Sequence, residues 1–213
     1  MEFKISREFL SEIEQLISEN KSQELLLLLE DIHFADIAEI MEELDDYGAA
    51  YIFNTLDSEK TAEILLELDD EVREKILRNL SPKEIAEELD ELSTDDAADI
   101  IAELPQHKKE QVISELEDVE HAKDIVDLLR YDEDTAGGLM GKELVKVNEN
   151  WNVLTCVKEM RLQAENVSRV HSIYVIDDEE RLKGRLSLKD LLTTSTKTPI
   201  SQVYIKKVDY VKV

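Results

Sequence analysis

Leucine recurs every twelve residues through the first 130 positions of this 213-residue chain. The leucines in register are Leu44, Leu56, Leu68, Leu80, Leu92, Leu104, Leu116 and Leu128, with Ile32 in the preceding slot. In most units a small residue stands six positions after the leucine, and an apolar pair follows two or three positions later. A fixed period of this kind is the signature of a fold built from stacked copies of one small unit.

Helix-starting residues stand directly after the leucines. Asp57 is one example, and Ser81 followed by Pro82 is another, while Ser81 with Glu84 fits a capping box. Each twelve-residue repeat therefore predicts one capped helix of about eight or nine residues. Isolated helices this short are only marginally stable, because nucleation costs more free energy than the hydrogen bonds of two turns recover. We therefore expect residues 25–130 to stack into a right-handed α-solenoid, a superhelix of short helices.

The twelve-residue period stops near Tyr131, and a different pattern begins after residue 141. The paired glycines at 137 and 138 permit backbone conformations closed to other residues, so residues 131–141 are interpreted as a hinge or junction. Periodicity then predicts an α+β unit with the order strand, helix, strand, strand, helix. The expected elements are a strand at 144–147, a helix at 153–163, strands at 172–176 and 184–186, and a helix from 188.

Charge divides the chain at the same place. Residues 1–135 hold 41 acidic and 12 basic side chains, whereas residues 136–213 hold 10 acidic and 13 basic ones. The acidic part repels nucleic acid and anionic lipid headgroups, and it attracts cations or basic protein surfaces. This balance excludes DNA binding as a function.

Nothing in the sequence predicts a membrane span or an exported protein. The longest uninterrupted apolar run covers residues 25–29, far short of the roughly 18 to 20 residues that cross a bilayer. The N-terminus lacks the pattern of a secretory signal, and Cys156 is the single cysteine. We therefore expect a cytosolic protein without disulfides.

The acidic repeat, the segment YDEDTAGGLM at 131–140 and the α+β pattern after it together resemble the cytosolic region of MgtE-type magnesium transporters. The segment IYVIDDEERLKGRLSLKDLL at 173–192 carries the resemblance of the α+β part to a CBS domain. The resemblance implies an MgtE N-terminal superhelix at 1–130, the junction at 131–141, a first CBS domain at 142–198 and the start of a second at 199–213.

The family resemblance also implies a function and partners. The segment would lie at the cytoplasmic face of the membrane, form a homodimer through its CBS domains, and act on the transmembrane pore domain of the same transporter. It would close that pore when intracellular Mg²⁺ is high. The pore itself is absent from these 213 residues.

Three aspartates in one repeat are candidate ligands for Mg²⁺. Asp95 and Asp99 lie one turn apart on a predicted helix with Asp96 beside them. Mg²⁺ prefers oxygen ligands and keeps several waters, so one or two carboxylates from each of two surfaces can hold it. The resemblance adds the backbone carbonyl of Gly138, and Glu63 is a weaker candidate that is chosen by its position in the repeat. Alternatively, the aspartates only favour the positive end of the helix dipole.

A second candidate site concerns adenine nucleotides. Gly184, Ser187 and Asp190 match the Gly-x-x-Ser/Thr-x-x-Asp pattern by which many CBS domains bind adenosine nucleotides such as ATP. The carboxylate would accept hydrogen bonds from the ribose hydroxyls. Alternatively, Ser187 caps a helix and Asp190 lies in its first turn.

The sequence does not indicate an enzyme. The four histidines are scattered without metal-ligand spacing, and Cys156 on the predicted helix 153–163 is interpreted as a small buried hydrophobic residue. Two other functions stay open beside the Mg²⁺ sensor. One is an α-solenoid that binds a basic protein surface, and the other is a CBS regulator that senses nucleotides.

Overall fold

The computed structural model describes residues 5–132, 135–164, 167, 170 and 172–211. The chain forms two compact units. The first takes the residues up to Leu92 and those from Asp96 to Arg130, and the second takes Ser93–Asp95 with the residues from Tyr131 onward. Short helices dominate, and the second unit contains a small sheet, which confirms the fold class expected from the sequence.

Ten helices of 8 to 12 residues lie between residues 5 and 132. They are α1 (Arg7–Ser18), α2 (Ser22–Leu29), α3 (Phe34–Glu42), α4 (Asp46–Phe53), α5 (Ser58–Glu67), α6 (Asp70–Asn79), α7 (Pro82–Leu89), α8 (Thr94–Glu103), α9 (Gln106–Glu115) and α10 (Val119–Leu128). Within the part of the chain that the structure describes, no helix is long and apolar enough to cross a membrane.

The helix starts are the ones that the sequence predicts. Asp57 caps α5 through a 3.1 Å hydrogen bond from the Lys60 amide to its carboxylate. Ser81 and Glu84 form the expected capping box of α7, with each side chain accepting from the other residue's backbone N–H. These bonds satisfy amide donors that have no carbonyl partner within the helix.

Helices two positions apart pack on one another, so that α3 contacts α5, α5 contacts α7, and α7 contacts α9. The leucines of the repeat line this core, where Leu68, Leu92, Leu104, Leu116 and Leu128 are buried and the other three are half-buried. Because each helix buries its apolar face only against its neighbours, the short helices depend on stacking for stability.

The second unit has the predicted order of strands and helices. Its elements are β1 (Val145–Asn148), α11 (Val153–Gln163), β2 (Ile173–Ile176), β3 (Leu182–Leu186) and α12 (Leu188–Thr193), followed by a 3₁₀ turn at Ile200–Gln202. The sheet order is β1-β2-β3, with β1 and β2 parallel and β2 and β3 antiparallel. The strand β3 begins two residues earlier than the sequence predicts.

One face of this sheet carries the core of the second unit. Alternate strand residues such as Val147 and Val175 are fully buried against α11, α12 and the 3₁₀ turn. The opposite face, termed here the open sheet face, carries a groove of about 370 Å³. The groove is lined by Leu144, Lys146, Tyr174, Ile176, Glu180 and Leu182.

The paired glycines of the junction do not adopt the left-handed backbone conformation that favours glycine, since no glycine in the described chain has a positive φ. The interpretation of residues 131–141 as a hinge or junction stays a prediction. Gly137 is needed for space, since a Cβ there would overlap the ring of Tyr131. Residues 133 and 134 of the predicted junction lie outside the described residues.

Candidate cation site at the start of helix α8

The start of α8 is held by a glutamate from a distant part of the sequence. Thr94, which is 2% exposed, donates its backbone N–H to Glu143 Oε1 at 2.7 Å and its hydroxyl to Glu143 Oε2 at 2.9 Å. Both residues belong to the second compact unit. The Glu143 carboxylate therefore caps the helix in the role that a residue of the helix itself usually fills.

The Asp95 carboxylate lies beside this cap. Its Oδ1 accepts a 2.8 Å hydrogen bond from the Ser93 hydroxyl, and the Thr94 hydroxyl accepts one from the Lys142 amide at 3.3 Å. A Cβ on Gly141 would stand 3.5 Å from both carboxylate oxygens of Asp95, so the backbone passes close to them. Two carboxylates and several backbone groups thus converge within a few residues.

The other predicted ligands occupy different surroundings. Asp96 is half-buried in the first turn of α8, and Asp99 is exposed one turn later on the same helix. Glu63 is exposed on α5. Gly138 is half-buried in a turn, where its N–H donates to the Thr135 hydroxyl at 3.4 Å. The fold therefore keeps the three aspartates on adjacent turns of one helix.

Side chains alone do not form a complete metal site. Within residues 5–132 and 135–211, apart from the few positions not described, no group of three or more His, Cys, Asp or Glu side chains is placed to hold a metal ion. An ion beside Asp95 would need water and backbone carbonyls as further ligands, which is the usual coordination of Mg²⁺. The assignment of the metal ligands stays a prediction.

Sequence reasoning missed Thr94, Gly141 and Glu143. The cap joins residues 49 positions apart in sequence, and no local pattern reports such a pairing.

The residues of the nucleotide pattern have local structural roles. Ser187 is the N-cap of α12 and its hydroxyl accepts a long 3.5 Å hydrogen bond from the Asp190 amide, as the alternative interpretation predicts. Gly184 has no room for a Cβ, which would overlap the backbone oxygen of Ile205 and the ring of Tyr204. Nucleotide binding by Ser187 and Asp190 stays a prediction.

Cys156 has the environment that the sequence predicts. Its side chain is fully buried in the core of the second unit. Burial raises the pKa of the thiol to about 12, and the nearby Glu159 carboxylate adds to the effect. A thiol in this state is not a nucleophile, because the thiolate is the reactive form.

Known proteins share both units and their order. The family model of the MgtE intracellular N domain matches residues 32–134, and that of the CBS domain matches residues 136–196. The crystal structure of the cytosolic domain of the Mg²⁺ channel MgtE in complex with ATP superposes with a TM-score of 0.84 at 32% identity. This likeness covers 95% of the present chain and 82% of that chain. The chain belongs to the MgtE family.

Other magnesium transporters agree with this assignment. The soluble part of a magnesium transporter superposes with a TM-score of 0.76 at 25% identity, covering 94% of this chain and 78% of that one. The magnesium transporters MgtE of Thermus thermophilus and Enterococcus faecalis are 41% and 33% identical over 85 and 89 residues. The matched segments span about a fifth of those two transporters, 19% and 20% of their lengths. The family resemblance seen in the sequence is therefore confirmed.

Proposed function

We propose that this chain is the Mg²⁺-sensing regulatory region of an MgtE transporter, at the cytoplasmic face of the membrane. It closes the pore of the whole transporter when intracellular Mg²⁺ is high. The observation that carries the proposal is the likeness to the cytosolic domain of the Mg²⁺ channel MgtE over 95% of this chain. The acidic balance of residues 1–135 supports a cation as the ligand.

The ligands proposed for Mg²⁺ are Asp95, Asp96 and Asp99 on α8, with the Gly138 carbonyl and, more weakly, Glu63. The three aspartates carry like charges on adjacent turns, and their mutual repulsion favours a bound cation. The convergence of Asp95 with the backbone at Gly141 supports a site at this end of α8. Water completes the shell, as Mg²⁺ ordinarily requires.

The proposed partners are the transmembrane pore domain of the same transporter and a second copy of this chain. The open sheet face supports a homodimer through the CBS domain. Leu144 and Leu182 on that face are 44% and 46% exposed, and apolar surface of this kind often marks an interaction site.

An adenine nucleotide is a second proposed ligand, because the cytosolic domain of the Mg²⁺ channel MgtE was solved in complex with ATP. Ser187 and Asp190 are the residues proposed to bind it, through the Asp190 carboxylate and the ribose hydroxyls. This proposal concerns regulation by nucleotide and is independent of the Mg²⁺ site on α8.

Thermal unfolding in Mg²⁺ and in Na⁺ at matched ionic strength tests the proposed function. We expect Mg²⁺ to raise the midpoint further, because a bound ion stabilises the fold by about 1.4 kcal/mol at ten times its dissociation constant, whereas both salts screen charge equally. The variant D95N/D99N should lose the additional stabilisation. Melts with ATP alone and light scattering on the same samples test the nucleotide and the dimer.

The matched control is the variant E8Q/E12Q, which neutralises two exposed glutamates one turn apart on α1. It removes the same charge, and it should keep the full response to Mg²⁺. An unchanged Mg²⁺ response in D95N/D99N would remove this pair from the site. Equal effects of the two salts on the unaltered protein would refute Mg²⁺ sensing by this chain.

A further inference from the structure

One position of the twelve-residue repeat departs from its apolar rule. In the seven repeats anchored from Ile32 to Leu104, the eighth residue after the anchor is a buried aliphatic side chain in six, namely Ile40, Ile52, Ile64, Ile76, Ile100 and Val112. In the repeat anchored at Leu80 this position holds Glu88, which is only 9% exposed. A carboxylic acid therefore occupies a core position of α7.

The partner of Glu88 is a buried threonine on α5. Glu88 Oε2 lies 2.6 Å from the hydroxyl oxygen of Thr61, which is 1% exposed. The same hydroxyl oxygen lies 2.9 Å from the carbonyl oxygen of Asp57 and 3.3 Å from that of Ser58. A hydroxyl has a single proton to donate, so it cannot satisfy these three acceptors at once.

A protonated Glu88 resolves this competition. The carboxylic acid then donates to Thr61 Oγ1, and the Thr61 hydroxyl donates to the Asp57 carbonyl in its own helix. An ionised Glu88 would instead bury a charge whose one hydrogen-bond partner among the described residues is this shared hydroxyl. Burial of an ionised carboxylate without a cation is strongly unfavourable.

The charged groups around Glu88 also favour its neutral form. Glu87 lies on α7, Glu91 lies two residues after its end, Asp57 caps α5, and all three are acidic. Burial is the largest cause and raises the pKa of Glu88 to about 7, while the hydrogen bond from Thr61 opposes it. The three acidic neighbours raise the pKa of Glu88 further.

The basic groups on the neighbouring helices bind backbone carbonyls. Lys108 on α9 donates to the carbonyl oxygens of Leu77 and Leu80, both at 2.7 Å. His121 on α10 has its Nε2 3.2 Å from the carbonyl oxygen of Leu89. Lys108 is thus bound at the end of α6, where it interacts electrostatically with Glu84 of α7. His121 contacts the end of α7 and requires a control in any test of pH dependence.

We propose that Glu88 and Thr61 form a proton-dependent contact that couples the packing of α5 against α7 to pH. With its proton, Glu88 stays in the core and donates to Thr61. After the proton is lost, the carboxylate is drawn toward water, and the two helices pack less tightly. The helical unit of this MgtE-family chain thereby responds to protons independently of the proposed Mg²⁺ site.

The sign of the effect follows from the direction of the shift. An acid whose pKa is higher in the folded state binds more protons when folded, so it stabilises the fold most at low pH. Its contribution is lost as pH rises from its ordinary pKa of 4.5 to about 7, and it changes little above that range. The helical unit should therefore become less stable across this interval.

Urea unfolding of the full chain at several pH values tests the proposal, with E88Q as the variant. Gln keeps the shape and the donor of a protonated Glu88 but cannot ionise. Between about pH 5 and pH 7.5 we expect the unfolding constant of the unaltered protein to rise on the order of a hundredfold more than that of E88Q. E87Q, an exposed neighbour on the same helix, and H121Q should both keep the steep dependence.

Equal pH dependence in the unaltered protein and E88Q would overturn the proposal. Carboxyl ¹³C NMR of the unaltered protein decides the matter even if E88Q fails to fold. A Glu88 carboxyl signal that titrates with a midpoint near neutrality is the expected result. A midpoint at the ordinary value of a glutamate would equally overturn it.

Discussion

The two units solve the problem of polar backbone groups in different ways. In the first unit, every short helix ends with carbonyl groups that lack an intrahelical partner. Lys60, Arg73 and Lys108 each donate to such carbonyls, and Arg73 Nη1 reaches the Leu68 carbonyl at 2.9 Å. Several of the few basic residues in this acidic region are thus helix caps.

In the second unit, the backbone groups of the core pair within one sheet, and the side chains form one shared core. A substitution in this core is expected to lower the stability of the whole second unit, because strands and helices distant in sequence meet at the same residues. In the repeat, each helix packs only against its neighbours, so the destabilising effect of a substitution stays more local. A residue that is equally buried in both units is therefore expected to affect stability differently in the two architectures.

The largest effect is expected at Gly184 in the second unit. Its Ala variant should lose about 3 kcal/mol of stability, because the new Cβ meets the backbone of Ile205, which cannot rotate away. Unfolding can be followed by the fluorescence of Trp151, the single tryptophan of the chain and a neighbour of this core. G141A is the control, since its Cβ would make only an ordinary contact at 3.5 Å. Equal stability of the two variants would contradict this account of Gly184.

An intermediate effect is expected at Lys108 in the first unit. Met in its place should cost about 2 kcal/mol, because the carbonyls of Leu77 and Leu80 lose a charged donor while the apolar stem is kept. Circular dichroism during urea unfolding measures the loss of helix. K83M removes the exposed 3.3 Å ion pair with Glu87, and it should change stability by less than about 0.5 kcal/mol. A loss of the same size in K83M would show that charge, and not capping, explains the effect.

The smallest effects are expected at the serine caps, one in each unit. S81A should cost about 1 kcal/mol, because it breaks a reciprocal capping box. S187A should cost less, since its single hydrogen bond is long at 3.5 Å. Both are measured by urea unfolding, and the reverse order would mean that the capping box of α7 is not formed in solution.

Local patterns predicted most of the fold. The capping box at Ser81 and the helix Val153–Gln163 are where the sequence placed them, because caps and helical periodicity are set within a few residues. The candidate cation site was predicted only in part. Asp95 and Asp99 were proposed as ligands from their spacing on one helix, and that assignment stays a prediction. Glu143 was missed because its partner Thr94 is distant in sequence.

The sequence by itself determined the acidic repeat of short helices, the α+β unit after it and the resemblance to the MgtE family. Each of these rests on periodicity, composition or order along the chain. Only the tertiary structure decided that Glu143 caps α8, that Gly184 makes room for Ile205, and that Glu88 meets Thr61 in the core. Contacts of this kind depend on how helices and strands pack, and no pattern of neighbouring residues specifies that packing.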